Sequence, residues 1–197
     1  MSIIRTFIAI PLPAALQQKI HDKIQPLRSR LERGLIRWVK AENIHITLKF
    51  LGDTRTEELE KLKGLLAKEV VEFAPFQLSV RKLGVFPNLS RPNTIWMGIA
   101  ENEKLFTLQK RIQAVASQIG SVPEKRRFSA HLTLGRVSRK GYSKQARLQI
   151  RKAIEESPQY DFGRVDVDSV HLIESILTPK GAKYRSLFEA KLGDFFE

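Results

Sequence analysis

Apolar and polar positions divide the chain into strand-like runs and helical stretches. Thr6-Phe7-Ile8-Ala9-Ile10 is a largely apolar run of strand length, stopped by Pro11 and Pro13, and predicts a buried strand. From Ala14 to Leu31 the apolar residues Leu16, Ile20, Ile24, Leu27 and Leu31 recur at helical spacing, with Pro26 placed to kink or split the helix. Ile36–Val39 and Asn43–Leu51 are strand-like, and Gly52 is expected to close the second. Thr54-Arg55-Thr56-Glu57 has capping-box spacing ahead of a helix carrying Leu59, Leu62, Leu65, Leu66 and Val70. Strands follow at Phe76–Val85 and Thr94–Ile99, joined by the turn-rich stretch from Phe86 to Asn93. Next come a helix from Glu103 to Ile119, a strand over Phe128–Val137 and a basic helix over Lys144–Glu155. The pattern ends in strands at Val165–Ile173 and Tyr184–Leu192, with Pro179-Lys180-Gly181 turning between them. Short connections favour antiparallel pairing, so the predicted class is α+β.

A strand, a helix and a strand carrying His-x-Thr occur twice, with the histidines at positions 45 and 131. That period is too long for a solenoid, so the expectation is a single domain, 1–197, built of two similar lobes. The chain of 197 residues is long enough for either lobe to bury a core. A hydrophobic fraction of 42% excludes wholesale disorder. Lys and Arg number 34 against 21 Asp and Glu, and the net charge of +13 favours a polyanionic partner, nucleic acid before a membrane surface. With no cysteine, the chain has no disulfide framework, thiolate metal site or cysteine nucleophile, which fits a reducing compartment. The most apolar early stretch, Phe7–Leu16, is too short and proline-rich to span a membrane, and no signal-peptide pattern precedes it. A soluble, cytoplasmic protein is expected.

The chemistry lies in His45-Ile46-Thr47-Leu48 and His131-Leu132-Thr133-Leu134. Side chains alternate along a strand, so each His and Thr share one face while the aliphatic residues anchor the other. With 4 His and 8 Thr in the chain, chance gives about 0.16 such tripeptides. Two imidazoles facing one cavity suit a phosphodiester, because near neutrality one acts as base and the other as acid. The Thr47 and Thr133 hydroxyls are placed to donate to non-bridging phosphate oxygens. No metal is called for. There is no His-x-His, no His-Glu-x-x-His and no Gly-x-Ser-x-Gly elbow.

These paired motifs resemble the 2H phosphoesterase superfamily, in detail the bacterial and archaeal RNA 2′,3′-cyclic phosphodiesterases, historically named 2′-5′ RNA ligases. The likeness runs through Arg5–Ile10, Trp38-Val39, Asn43–Gly52, Gly84–Pro87, Ile95-Trp96, Ala130–Arg136 and Ser175–Tyr184. Ala130 stands where many relatives carry proline. The resemblance implies two lobes, each an antiparallel sheet with outer helices, around a central cleft. It implies hydrolysis of an RNA 2′,3′-cyclic phosphate to a 2′-phosphate, with His45 as proton donor, His131 as proton acceptor and ligation as the reverse direction. The implied partner is RNA with a cyclic phosphate end, tRNA fragments included, acted on by a monomer without cofactor. Competing readings are a non-catalytic module that binds RNA ends, and a phosphodiesterase of small cyclic phosphates or 2′-5′ oligonucleotides.

Among secondary candidates, Arg136 is either a guanidinium fork for phosphate or one more solvated basic residue, and Tyr184 either stacks on a base or reaches a phosphate, or is a half-buried strand aromatic. Phe50 shares parity with Leu48 and is expected in the core. Trp38 and Trp96 read as packing residues, and His21 and His171 as structural. Arg126-Arg127 with Arg147, Arg151 and Lys152 form basic surface suited to steering an RNA backbone.

Overall fold

The computed structural model describes residues 2–124, 126–179 and 181–193. The chain runs β1 (Ile3–Pro11), α1 (Ala14–Lys23), α2 (Gln25–Ser29), β2 (Ile36–Trp38), β3 (His45–Arg55), α3 (Thr56–Val70), β4 (Phe76–Phe86), β5 (Thr94–Ile99), α4 (Glu103–Ser117), β6 (His131–Val137), α5 (Lys144–Glu155), β7 (Asp161–Val167), β8 (Ser169–Thr178) and β9 (Gly181–Lys191). Pro26 occupies the first turn of α2, where a missing N–H costs nothing, so the helical stretch breaks there into two pieces.

Among the described residues the strands form one antiparallel sheet in the order β7-β4-β5-β6-β3-β1-β8-β9, with β2 also paired to β6. Outward from the centre the two halves read β3-β1-β8-β9 and β6-β5-β4-β7. In each half the His-x-Thr strand lies beside the strand that precedes it across a helix: β1 and α1 before β3, β5 and α4 before β6. The halves join at the pair Ile46↔Leu132. β7 and β8 sit in opposite halves yet only Asp168 separates them along the chain, so the sheet must curl until its outer regions approach. The convex side carries the main core, in which α3 and α4 pack Leu62, Leu66, Leu105, Leu108 and Ile112 against Ile8, Ile46, Leu132 and Leu134. The concave side has a small cluster of its own, Phe7, Ala9 and Ile173.

Three expectations change. β3 does not end at Gly52: that residue takes φ +74°, which glycine allows, and the strand continues to Arg55 against Ile3–Arg5. Thr54 therefore lies within the strand, its hydroxyl 2.7 Å from that of Thr6, and Arg55 takes the helix N-cap position without a side-chain hydrogen bond. The run Val165–Ile173 is divided at Asp168, because its first part pairs with β4 and its second with β1. Lys180, in the expected turn, lies outside the described residues. Among the described residues no helix is long and apolar enough to cross a membrane.

Candidate active site

Ile46↔Leu132 pairs the second residue of one motif with the second residue of the other. In an antiparallel ladder that register sets His45 opposite Thr133 and Thr47 opposite His131, all four on the concave face. The histidines lie on one diagonal of this square and the threonines on the other. Ile46, Leu48, Leu132 and Leu134 are buried on the opposite face and hold both strands in place.

Each motif is followed by a bulge. Between Ala9↔Thr47 and Ile8↔Lys49 the residue Leu48 has no partner on β1, and between Trp96↔Thr133 and Ile95↔Gly135 the residue Leu134 has none on β5. One extra residue inverts the parity that follows it, on β3 as far as Phe50, where a second shift leaves Leu51 without a partner on β1. Lys49 and Gly135 turn toward the core, while Phe50 and Arg136 turn to the concave face. The buried Lys49 ammonium donates to the Val122 carbonyl at 2.6 Å. Phe50, expected in the core, is 56% exposed and lines the cleft. It follows His45 at the same interval at which Arg136 follows His131, and that shared interval is the signal in the sequence that marks Phe50 as the counterpart of Arg136.

The imidazoles are oriented alike. His45 Nδ1 donates to the Asn43 carbonyl at 2.8 Å, and His131 Nδ1 to the Ser129 carbonyl at 2.7 Å. These bonds fix the proton of each neutral ring on Nδ1 and leave Nε2 as an acceptor. In the open site the Thr47 hydroxyl lies 3.0 Å from His45 Nε2 and donates to it. Phe7 stacks on His45 at 4.9 Å, Tyr184 meets its edge at 5.3 Å, and Phe86 packs edge-on against His131 at 5.0 Å. Burial accordingly lowers the His45 pKa to about 4, opposed by the Asn43 carbonyl and assisted by His131. Burial also lowers that of His131, with Ser129 opposing and Arg136 assisting. Burial thus favours the neutral form of both rings.

A cleft of about 490 Å³ brings together His45, Thr47, Thr133, Arg136 and Tyr184; His131 is not among the residues that line it, and the register places it beside Thr47 on the neighbouring strand. Two further residues enter that sequence reasoning did not single out. Arg5, on β1, lines the cleft and, with Arg136, bears electrostatically on the Tyr184 hydroxyl. Asn43 also lines it, and its side-chain amide donates to the Ala182 carbonyl at 2.8 Å, tying the β8–β9 hairpin to the residue that orients His45. Ahead of the motif, Gln17 of α1 donates to the Ile44 carbonyl at 2.9 Å. The remaining histidines lie elsewhere: His21 Nε2 is 2.6 Å from Arg28 Nη1, and His171 Nδ1 is 3.0 Å from the Ser186 hydroxyl. Arg28 also covers the Trp38 ring at 5.0 Å. Among the described residues no group of three or more His, Cys, Asp or Glu is arranged to hold a metal ion.

Residues 10–96 match the family model described as LigT like phosphoesterase. A protein of Archaeoglobus fulgidus named RNA 2′,3′-cyclic phosphodiesterase is 35% identical over 185 residues, 93% of this chain and 97% of that one. One of the same name from Methanocaldococcus jannaschii is 32% identical over 94% of this chain and 99% of its own. Among solved structures, TT0787 of Thermus thermophilus superposes with a TM-score of 0.75 at 26% identity, over 96% of this chain and 99% of that one. The fold is also that of E. coli LigT complexed with 3′-AMP, with a TM-score of 0.76 at 24% identity, over 97% of this chain and 99% of that one.

Proposed function

The chain belongs to the LigT-like phosphoesterases and is a cyclic phosphodiester hydrolase, and on that premise we propose that it opens the 2′,3′-cyclic phosphate of an RNA end by acid–base catalysis between His45 and His131. The observation that supports the reading is the register Ile46↔Leu132, which puts an imidazole and a hydroxyl from each strand side by side on one face of the sheet.

Neutral His131 takes a proton from water as the water oxygen bonds to phosphorus, and protonated His45 gives its proton to the departing O3′. The product is a 2′-phosphomonoester. Thr47 and Thr133 donate to the non-bridging oxygens, and Arg136 and Arg5 hold the negative charge that grows there. The acid must be charged before it donates, yet burial favours neutral His45. The substrate supplies the remedy: an anionic phosphate beside Nε2 favours the imidazolium, so binding raises the pKa that burial had lowered. Phe50 and Tyr184 offer exposed ring faces at the rim for the terminal base. Reversed, the same steps join the cyclic phosphate to a 5′-hydroxyl. The reading extends to tRNA fragments as carriers of such ends, and to a monomer working in the cytoplasm.

The test is turnover of a cyclic-phosphate-ended RNA in EDTA, with the terminal phosphate of the product identified. His45→Ala and His131→Ala are each expected to lose about 10²–10⁴-fold in rate. Full activity in both variants overturns the histidine assignment, and loss of wild-type activity on chelation overturns the metal-free mechanism. Tight binding of the RNA end without turnover favours a non-catalytic module, while turnover confined to cyclic mononucleotides or 2′-5′ oligonucleotides shifts the substrate class.

A further inference from the structure

The two halves of the sheet match row against row, because each His-x-Thr strand has its own pair of outer neighbours. The row through Thr47 runs Thr47, Ala9, His171, and the matching row through Thr133 runs Thr133, Trp96, Gly84. The next row on the same face runs Phe50, Phe7, Ile173 in one half and Arg136, Thr94, Phe86 in the other. The backbone repeats, but the side-chain volumes do not. Where the first half sets Ala9 beside its threonine, the second sets Trp96.

The consequence is a filled bay. A Cβ on Gly84 would overlap the Trp96 indole, and one on Gly98 would lie 3.1 Å from its Cζ3, so the ring lies along the sheet across both glycines. Phe86 packs on the indole at 5.0 Å and meets His131 edge-on, also at 5.0 Å. Indole and phenyl together thus form a wall beside His131. In the first half Phe7 reaches His45 at 4.9 Å, and there Ala9 contributes only a methyl group to the same face. The catalytic cleft follows this difference. It is lined by Thr6 and Phe7 of β1, Ser175 and Leu177 of β8 and Tyr184 of β9, and by no residue of β4 or β5 among those described.

This asymmetry decides something that the motifs leave open. His45 and His131 have the same backbone anchor and stand on one diagonal, so neither motif by itself says which ring meets the leaving group. In an in-line displacement the nucleophile and the departing oxygen lie on opposite sides of phosphorus, and the nucleoside lies with the departing oxygen. We propose that Trp96 and Phe86 are specificity residues: they fill, in the second half of the sheet, the bay that Ala9 leaves open in the first, so the nucleoside is admitted only over Phe7 and its O3′ meets only His45. The inference rests on the acid–base reading of the two histidines given above. Within it the wall sets the polarity of the step. The water oxygen bonds to phosphorus on the side of His131, which takes the proton, while the P–O3′ bond breaks and O3′ takes the proton of His45. Without the wall the matching rows would accept the nucleoside in either half, and the two histidines would exchange roles with it.

The position of the base is read by photolabelling with 8-azidoadenosine 2′-monophosphate, counting only label that excess inorganic phosphate removes, followed by peptide mapping. In the wild type the label is expected on β1, β3, β8 or β9 and absent from β4 and β5. In the Trp96→Ala, Phe86→Ala double variant it is expected in both halves. Label on β4 or β5 of the wild type, or label that stays in the first half of the double variant, overturns the proposal. If the double variant does not fold, Trp96→Leu alone makes the same comparison. The acid is read separately with a cyclic phosphate that carries sulfur in place of O3′, since a thiolate departs without a proton. His45→Ala protein is expected to turn this substrate over at least about 10-fold faster than the oxygen one, and His131→Ala protein to gain nothing. A gain in His131→Ala in place of His45→Ala overturns the acid assignment and this proposal with it. The expected gain together with wild-type label on β4 or β5 overturns the wall alone.

Discussion

His45 and His131 share one backbone anchor, an Nδ1–H bonded to the carbonyl two residues upstream, and differ in what packs around them. His45 sits between the Phe7 face and the Tyr184 edge, and this apolar enclosure brings its pKa to about 4. The sign of the consequence for stability is fixed. The folded pKa is below the unfolded value near 6.5, so the unfolded chain binds the proton more readily between the two. Stability tied to His45 is complete above about pH 6.5 and is lost as pH falls toward 4. His45→Gln is expected to flatten that part of the stability–pH curve relative to wild type, measured by urea unfolding at a series of pH values; parallel curves would refute it. Phosphate bound in the cleft is expected to move the His45 titration upward, read from ring proton shifts in NMR. A midpoint that stays near 4 with the cleft occupied would remove the means by which the acid becomes charged.

At the scale of elements, the two bulges decide which side chains reach the cleft. Gly135 is where β6 turns its backbone toward Ile36 and Trp38: a Cβ there would lie 2.6 Å from Ile36 Cγ2 and 3.0 Å from Trp38 Cε3. Gly135→Ala is therefore expected to cost about 1–3 kcal/mol, seen as a lowered denaturant midpoint, and to reduce turnover by displacing Arg136; an unchanged midpoint and rate would refute this account of the bulge. The β8–β9 hairpin reaches the residue just ahead of β3 through the Asn43 amide and the Ala182 carbonyl. Asn43→Ala is expected to lower kcat by about 10-fold with little change in KM, because it loosens the orientation of His45 rather than removing a substrate contact; a rise in KM alone would count against a positioning role. These elements also show what the sequence made legible. Periodicity is enough for the helices and most strands, and the repeated His-x-Thr is enough to single out His45, Thr47 and Thr133, which line the cleft, because both are local properties. The position of Phe50 was not local: it depends on Leu48 having no partner on β1, a fact of pairing between segments. The same holds for Gly52 and for the division at Asp168, where turning or continuing depends on which strand lies alongside.

Over the whole molecule, the charge of +13 acquires a distribution. Arg136 lies directly opposite Arg37 on β2, two like charges side by side on one face of the sheet and both exposed. Such a pair opposes folding on its own, and a polyanion laid across it relieves the repulsion. Arg5 and Arg136 line the cleft, while Arg81, Lys82 and Arg127 line a separate cavity of about 500 Å³. A surface that binds the RNA backbone through these cations must release counterions, and its affinity must fall with salt by about 0.7 in log–log slope for each single-strand phosphate engaged. For a cyclic-phosphate-ended oligonucleotide, log KM is thus expected to rise steeply with log salt. A cyclic mononucleotide, with no backbone beyond the reacting phosphate, is expected to show a much shallower rise. Arg37→Gln should reduce the oligonucleotide slope by about 0.7 and leave that of the mononucleotide in place. Coincident slopes for the two substrates would mean that the excess of lysine and arginine serves solubility rather than capture of the RNA.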